Sequence, residues 1–270
     1  MIFNSYICSI KMEKAILQLL EQLPTISLEE MGGIKLMNRT DQKYLATLTQ
    51  LEELLRMAQG KYYVNEIEGR RVSPYRTIYL DTPDEEMYLA HHNGRLTRQK
   101  VRVRTYLSSG ETFLEVKNKN NHGRTKKKRM EVRGIDSLIE DGGNELLHKY
   151  AKYTLEQLVP KVENQFERIT LVNYAETERL TIDSHVKFHH WETGVDNTYD
   201  RLVIIELKRD GNADSPVLDI LRTLRIHPSG FSKYCIGTVA TKESIKKNNF
   251  LPKVRRFEKL LANEFNHYKS

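Results

Sequence analysis

The fold of this chain is decided by residues 98–107, RQKVRVRTYL, and residues 112–119, TFLEVKNK. Successive side chains of a β-strand point to opposite faces of its sheet. In the first run one face collects the cations Arg98, Lys100, Arg102 and Arg104, followed by Tyr106. The second run repeats the alternation, with Phe113, Glu115, Lys117 and Lys119 on one face and Leu114 and Val116 on the other. The intervening Ser-Ser-Gly at residues 108–110 is typical of a turn. The two runs therefore predict paired strands with one cationic and one apolar face.

The positive charge of the chain is concentrated around these strands. Residues 94–133 contain thirteen lysines and arginines but only three acidic residues, a balance of +10, whereas the whole chain has a formal charge of +7. Like charges opposite one another destabilise a sheet, so a solvated face usually mixes both signs. The pattern indicates a polyanion ligand, because arginine binds phosphate bidentately and lysine binds it as a point charge. An ordinary solvated basic face is the alternative.

Composition describes a soluble protein with a substantial core. Hydrophobic residues make up 39% and charged residues 29% of the 270 residues, and no run approaches the roughly 18 apolar residues that a membrane span needs. The first ten residues lack the basic segment and cleavage site of a signal peptide. Cys8 and Cys235 are too few for a disulfide framework or a thiolate metal site. A cytoplasmic, reduced location is expected.

The chain divides into three predicted parts: an N-terminal extension and helix at 1–24, a central domain at 25–240, and a charged, helical tail at 241–270. In the central domain, period-two runs predict strands near 38–45, 74–81, 96–133, 161–172, 178–188 and 199–208. Helices are predicted from a capping box at Thr49 to residue 59, from 82 to 92, over 136–160 and over 214–226. The tail has Leu260, Leu261 and Phe265 as its expected anchors.

Seven or eight mostly antiparallel strands can close into a barrel. Cationic faces that point outward would bind a large polyanion, whereas cationic faces that point inward would line a tunnel. The pairs Glu115-x-Lys117 and Glu206-x-Lys208 suit a site for a metal and a phosphate, because the carboxylate oxygen binds a divalent cation and the ammonium binds phosphate. Two ordinary ion pairs on strand faces are the alternative.

Eight motifs in order resemble the VTC domain, the polyphosphate polymerase domain of the triphosphate tunnel (CYTH-like) superfamily. They are RTDQKY at 39–44, YLDTPD at 79–84, HHNGRLTRQKVRVRTY at 91–106, LEVKNK at 114–119, GRTKKKRMEV at 123–132, ERLTID at 178–183, IIELK at 204–208 and FSKY at 231–234. The resemblance implies an α+β fold in which flanking helices surround an antiparallel β-barrel tunnel. It also implies transfer of the γ-phosphate of ATP onto a polyphosphate chain with Mn²⁺ or Mg²⁺ as cofactor.

The resemblance also implies a set of site residues. The catalytic cations are Lys43, Arg102, Arg104 and Lys117; the substrate-binding cations are Arg95, Lys128, Arg168, Arg179 and Lys233; and the metal ligands are Glu206 and Glu115. Two positions depart from the superfamily. The E-x-E-x-K strand of its hydrolytic members is replaced by RTDQK at 39–43, which favours the polymerase branch, and Phe166 stands where that branch can have tyrosine before its tunnel arginine. In the GRTKKKRM run, a bulge would present Lys127 or Arg129 instead of Lys128.

Three functions follow as hypotheses. The first is the polymerase, with ATP and polyphosphate or triphosphate as its partners and without a nucleic-acid partner or a membrane segment. The second is a metal-dependent hydrolase of tripolyphosphate or nucleoside triphosphates. The third is a non-catalytic module that binds polyphosphate or another polyanion, whose binding would depend steeply on salt. The adjacent pairs His91-His92 and His189-His190 would point to opposite faces of a strand, so they are poor metal chelates.

Overall fold

The computed structural model describes residues 2–32, 39–211 and 213–267, and within them the side chains of residues 11–32, 41–211 and 213–264. The described helices are α1 (Ile2–Glu21), α2 (Leu28–Gly32), α3 (Leu48–Ala58), α4 (Glu86–His92), α5 (Gly143–Tyr150), α6 (Pro216–Thr223), α7 (Lys233–Thr241) and α8 (Leu251–His267). The described strands are β1 (Thr25–Ile26), β2 (Arg39–Thr47), β3 (Tyr62–Asn65), β4 (Ser73–Asp81), β5 (Arg98–Tyr106), β6 (Thr112–Lys119), β7 (Thr125–Glu131), β8 (Val159–Asn173), β9 (Glu178–His190), β10 (Asp196–Tyr199) and β11 (Leu202–Asp210).

All these strands belong to one sheet, and the fold is α+β as expected. Eight strands form its main path in the order β2-β11-β9-β8-β4-β5-β6-β7, and each neighbouring pair on this path is antiparallel. The short strands β1, β3 and β10 pair outside the path. Within the described ranges β2 and β7 are not paired with each other, so backbone hydrogen bonds do not complete the barrel. The segment before α7 crosses the concave side instead, where Phe231 and Ser232 accept hydrogen bonds from Lys43 of β2 and Lys100 of β5.

Three helix predictions differ from the structure. The region 136–160 is helical only in α5 and in a short 3₁₀ turn at Leu155–Gln157, because Gly142 has a φ of +85° and starts α5 late. The capping box of α3 is formed by Thr47 and Gln50, two residues before the predicted Thr49. In α8 the deepest anchor is Phe257, which is 1% exposed, while the side chain of the predicted anchor Phe265 lies outside the described residues.

Helices cover the apolar outer faces of the sheet. The first apolar cluster packs α1, α3 and α6 against β8, β9 and β11 through residues such as Leu171, Leu180 and Ile205. A separate cluster packs α5 against β5 and β6 through Val101, Val103, Leu114 and Val116. Because side chains alternate along each strand, burying these residues on the outside turns the cationic residues of β5 and β6 inward. The structure therefore supports the tunnel arrangement over an outward basic face.

A third apolar cluster fills one end of the concave side. The helix α7 enters there and lies so close to β8 and β9 that a Cβ atom at Gly237 would come within 2.8 Å of Val162 and 2.6 Å of Phe188. Phe250 and Phe257 from the C-terminal region pack into the same cluster. The glycine is required by this close approach, and α7 in turn holds Lys233 at its first position inside the sheet.

Candidate tunnel site for a polyphosphate or triphosphate

The wall formed by β5 and β6 centres on a buried ion pair. Arg102 is 6% exposed and donates from Nε to Oε2 of Glu115 at 2.7 Å, while Lys127 of β7 donates to Oε1 at 2.8 Å. Burial acts to raise the pKa of Glu115, but Arg102, Arg104 and Lys127 outweigh it and hold that pKa far below its usual range. Both carboxylate oxygens are therefore occupied, and Glu115 aligns two cations along the wall.

Arg104 lies two residues further along the same strand, beside a stacked pair of aromatic rings. Its guanidinium carbon is 5.5 Å from the Tyr75 ring centre and 5.7 Å from that of Phe166, and its Nε donates to the Thr77 hydroxyl at 3.1 Å. Burial, followed by the neighbouring Arg102 and Arg168, lowers the pKa of Arg104 to about 10. The arginine is thus oriented by neutral groups, so its charge is available to a ligand.

The opposite wall has a second buried ion cluster. Arg168 of β8 donates bidentately to Asp183 of β9, at 2.6 and 2.8 Å, and Lys233 of α7 also donates to Asp183. Burial raises the pKa of Asp183, yet Arg168 and Lys233 outweigh burial and hold it far below normal. Phe166 stacks on Tyr75 with the ring planes 8° apart, and the Lys233 ammonium lies 4.0 Å from the Phe166 ring centre. The Phe166 ring therefore contacts both cations, Arg168 and Lys233, through its face.

The segment before α7 joins the two walls. Lys43 of β2 donates to the carbonyl oxygen of Phe231 at 3.1 Å, and Lys100 of β5 donates to the hydroxyl of Ser232 at 2.8 Å. Both ammonium groups therefore meet neutral oxygens of one short segment that spans from β2 to β5. Burial lowers the pKa of Lys100, as expected for a cation taken out of water.

Glu206 is the carboxylate that remains available at the centre. It pairs in register with Lys43 of β2 and Thr181 of β9, and its nearest cation contact is Lys208 at 4.0 Å. Burial acts to raise its pKa, but Lys43, Lys208 and Lys117 outweigh burial and lower it to about 2. Glu206 is therefore ionised at neutral pH and faces the surrounding cations.

Lys117 shows how crowded the positive charge is. Arg102 is the main cause that lowers its pKa well below the normal value, followed by burial and Arg104, while Glu115 and Glu206 act in the opposite direction. In the part of the chain that the structure describes, no carboxylate comes within ion-pair distance of its ammonium group. The tunnel therefore has more positive charge than its own carboxylates balance.

The donor set fits a divalent cation that is bound largely by substrate. Among the described residues no three His, Cys, Asp or Glu side chains cluster as a complete metal site. Glu206 offers one ionised carboxylate, and the neighbouring Thr181 hydroxyl is buried without a hydrogen-bond partner in the described part of the chain. Mg²⁺ typically binds through one or two carboxylates plus substrate phosphates. The predicted ligand Glu115 does not fit, because both of its oxygens already hold cations.

Most of the predicted site residues come together, and Lys128 and Arg95 do not. Lys43, Arg102, Arg104, Lys117, Arg168, Lys233 and Glu206 surround the same space. Lys128 pairs with Val116 on the outer face, and its ammonium lies 5.3 Å from the Tyr150 ring centre. Lys127, which pairs with Lys117, takes the inner position. Arg95 lies in the exposed connection before β5. Arg179 pairs in register with Lys208, on the face of β9 that also carries Thr181 and Asp183, and donates to the carbonyl oxygen of Met31 at 2.7 Å.

Three functional residues are missing from the predicted set: Lys100, Lys127 and Asp183. The alternation of the first run already placed Lys100 beside Arg102, so its signal was present in the sequence. Lys127 needed the register of β6 and β7, which the short Gly-containing turn does not reveal. Asp183 needed the pairing of β9 with β8, since only that pairing brings it to Arg168.

Comparisons with known proteins identify a family. The sequence model of the VTC domain matches residues 38–242. No curated protein sequence matches the chain. No described helix has the length and apolar character that crossing a membrane requires.

Several solved structures are similar in fold. A putative adenylate cyclase from Vibrio parahaemolyticus has 11% identity and a TM-score of 0.44, over 75% of this chain and 99% of that chain. The putative adenylyl cyclase HpAC1 from Hippeastrum, described as having a dominant triphosphatase activity, has 14% identity and a TM-score of 0.49, over 77% and 98%. The PH1012 protein from Pyrococcus horikoshii has 12% identity and a TM-score of 0.38, over 71% and 97%.

Proposed function

The chain belongs to the VTC domain family, and we propose that it is an ATP-dependent polyphosphate polymerase that transfers the γ-phosphate of ATP onto a polyphosphate chain inside the tunnel. The observation that supports this proposal is the excess of enclosed cations over the three carboxylates Glu115, Asp183 and Glu206. Arg104, Lys43 and Lys100 donate to neutral oxygens rather than to carboxylates. Such a space favours a ligand that is densely negative along its length.

The chemistry needs no nucleophilic side chain. A terminal oxygen of the polyphosphate chain attacks the γ-phosphorus of ATP, the bond to the β-phosphate oxygen breaks, ADP leaves, and the chain is longer by one phosphate. Phosphoryl transfer passes through a loose transition state whose charge spreads over the phosphoryl oxygens, so positioning and electrostatic stabilisation provide most of the catalysis. Arg102, Arg104 and Lys117 would stabilise this charge, while Lys43, Arg168 and Lys233 would hold the phosphates in line.

Glu206, with Thr181 beside it, would hold Mn²⁺ or Mg²⁺ against the phosphates. When bound, the ion would neutralise phosphate charge and help to align the reacting groups. The ionised Glu206 also speaks against a module that binds polyanions without metal, because a bare carboxylate would repel a phosphate chain. Glu115 takes no part in holding the metal in this proposal and serves to position Arg102 and Lys127.

The test is incubation of the protein with ATP and Mn²⁺ or Mg²⁺, with products resolved by gel electrophoresis and phosphorus NMR. We expect ADP together with long chains that show the signal of internal phosphates, and loss of both products when the metal is chelated. Lys43→Ala is the matched variant, because the Lys43 ammonium donates to the carbonyl oxygen of Phe231 and forms no ion pair within 4 Å with a carboxylate of the described residues.

The alternatives have distinct outcomes. Release of orthophosphate without chain growth would show that the protein is a hydrolase of the same fold and not a polymerase. Tight binding of tripolyphosphate without turnover, with or without metal, would leave a binding module. Unchanged turnover in Lys43→Ala, with circular dichroism showing a native fold, would contradict the assignment of the tunnel as the reaction site.

A further inference from the structure

A groove on the described surface lies outside the tunnel, at the end of the sheet where β5 begins and β6 ends. It has a volume of about 810 Å³. Its cations are Arg95, Arg98, Lys119, Arg124, Lys126 and Lys152, and Glu86 is the one acidic residue among its lining. Oxygen Oε2 of this glutamate already accepts a hydrogen bond from the Tyr153 hydroxyl at 2.8 Å. The groove is therefore strongly positive, and the proposed catalytic chemistry does not use it.

The groove shares two cations with the inner face of the sheet, while Gln99, Asn118 and Lys126 of its lining lie on the outer face. Arg98 and Lys119 pair with each other in register and lie on the same strand faces as Arg102 and Glu115. Four residues of strand separate the levels of Arg98 and Arg102, a distance of about 13 Å at 3.3 Å per residue. Lys100 lies halfway between them. A row of cations on the inner face therefore runs from Arg102 through Lys100 to Arg98 and Lys119, which also line the groove at the end of the sheet.

The far wall of the groove is held in place by hydrogen bonds. The Gln99 side chain accepts from the Lys152 backbone at 2.8 Å and donates to Asn118 at 2.6 Å. The Asn118 amide in turn donates to the carbonyl oxygen of Tyr150 at 2.7 Å. These contacts fix the segment that follows α5 against β5 and β6. These hydrogen bonds pre-organise the wall of the groove, so little ordering of this wall is needed when a ligand binds.

We propose that this groove binds the part of a linear polyphosphate chain that extends beyond the tunnel. The inference rests on the proposed function, because it takes polyphosphate as the tunnel's ligand. A linear chain of phosphates has uniform charge and suits a row of cations that leads along the inner face of the sheet to the groove. A single-stranded nucleic acid fits less well, since non-specific binders stack successive bases on several aromatic side chains, and Tyr153 is the sole aromatic residue in the lining.

The test compares ligands of two lengths on one variant. Arg124→Gln/Lys126→Gln/Lys152→Gln removes three exposed groove cations that lie outside the tunnel, and Lys14→Gln/Lys187→Gln/Arg222→Gln removes the same charge from exposed sites elsewhere. Affinities for tripolyphosphate and for long-chain polyphosphate are measured by calorimetry without ATP, after thermal melting has shown that both variants are folded.

We expect the groove variant to bind long-chain polyphosphate about tenfold more weakly, as follows from three exposed ion pairs. The slope of log affinity against log salt should become shallower by about 2, since about 0.7 counterions are released for each single-strand phosphate contact. Tripolyphosphate affinity should stay unchanged, and the control variant should match the parent protein for both ligands.

Three results would overturn the inference: equal loss of long-chain affinity in the groove and control variants, an unchanged long-chain affinity in the groove variant, or equal binding of single-stranded DNA that is lost in the same variant. The last result would assign the groove to polyanions in general. The outcome is independent of the polymerase assay, because binding is measured without turnover. If the groove variant loses long-chain affinity but the parent protein makes no polyphosphate, the groove would still be a polyphosphate-binding site and the proposed polymerase activity would be wrong.

Discussion

At the scale of single residues, the site is a balance between cations that are paired and cations that are not. Glu115 and Asp183 each hold two cations in place, which fixes the geometry of both walls. Lys117 has no such partner within the described residues, and Arg102 beside it lowers its pKa. A residue held against like charge lowers the stability of the free protein, and such a cost is expected where function requires it.

The first prediction concerns this lysine. Lys117→Gln should remove the repulsion from Arg102, so the free protein should become more stable by about 1 kcal/mol and its melting temperature should rise by about 2–4 °C. The same change should weaken tripolyphosphate binding and reduce turnover, because a cation at the centre is lost. Calorimetric melting with and without tripolyphosphate measures both effects.

Lys187→Gln is the matched control, because Lys187 is exposed on the other side of the sheet. It should change neither the melting temperature nor the binding. A Lys117→Gln protein that melts at a lower temperature than the parent would show that Lys117 stabilises the free fold and would contradict this interpretation.

At the scale of elements, the register between β6 and β7 decides which lysine faces the tunnel. The pairs Lys117–Lys127 and Val116–Lys128 place Lys127 inside and Lys128 outside. Because the side-chain period of a strand is two, a shift of one residue would exchange them. Contacts on both faces agree with the observed register, since Lys127 reaches Glu115 and Lys128 lies over Tyr150.

A matched pair of substitutions tests this register. Lys127→Gln should weaken tripolyphosphate binding by about tenfold, since a charged hydrogen bond contributes about 1.5–3 kcal/mol. Lys128→Gln should leave binding within about twofold of the parent, as a surface substitution away from the site. Titration calorimetry at one salt concentration measures both proteins. The reverse order of effects would show that β7 pairs one residue out of the described register.

At the scale of the whole molecule, the outer helices determine the direction of the charged faces. The helices α1, α3, α5 and α6 bury the apolar side of the strands, and α7 enters the concave side with Lys233 at its first position. The tunnel therefore collects cations from β2, β5, β6, β7, β8 and α7, several of them on buried side chains. Proton binding in this space should be coupled to phosphate binding.

The affinity for tripolyphosphate should fall as the pH rises through 8. Burial lowers the pKa of Lys233 to about 8, with Asp183 acting against it and Arg168 adding to it. A bound phosphate favours the ammonium form and raises this pKa, so binding takes up a proton above pH 8 and little changes below pH 7. Burial raises the pKa of Tyr79, but Arg102, Lys100 and Arg104 outweigh burial and lower it to about 8; a phenolate there adds repulsion in the same direction.

One linked proton corresponds to about a tenfold loss of affinity for each pH unit above 8. Dissociation constants between pH 7 and 9.5 measure this dependence. Lys233→Arg keeps its charge throughout that range, so it should give a shallower fall, and Tyr79→Phe should do the same through the other group. A constant affinity over this range in the parent protein would contradict the linkage.

The sequence by itself determined the family, the α+β class and most of the tunnel cations. These predictions came from local sequence patterns. The alternation in β5 and β6 separates the cationic from the apolar face, and the motifs around Lys43, Glu206 and Lys233 occur in the order of the family. The first residues of the helices were harder to predict, because they depend on backbone conformation and on capping contacts. Gly142 delayed α5, and the capping box began at Thr47 rather than Thr49. The division into three parts at residues 24 and 240 stays a prediction.

Only the tertiary structure decided which charges meet. Glu115 was expected at a metal, but its two oxygens hold Arg102 and Lys127, and a partner from β7 cannot be read from the sequence of β6. Lys127 and not Lys128 faces the tunnel for the same reason, because the register of β7 on β6 decides it. Asp183 lies 15 residues after Arg168 and 50 before Lys233 in the chain, yet strand pairing and the entry of α7 bring all three together. Alternation along a strand is set by local geometry, whereas the partners of a buried charge are set by long-range packing.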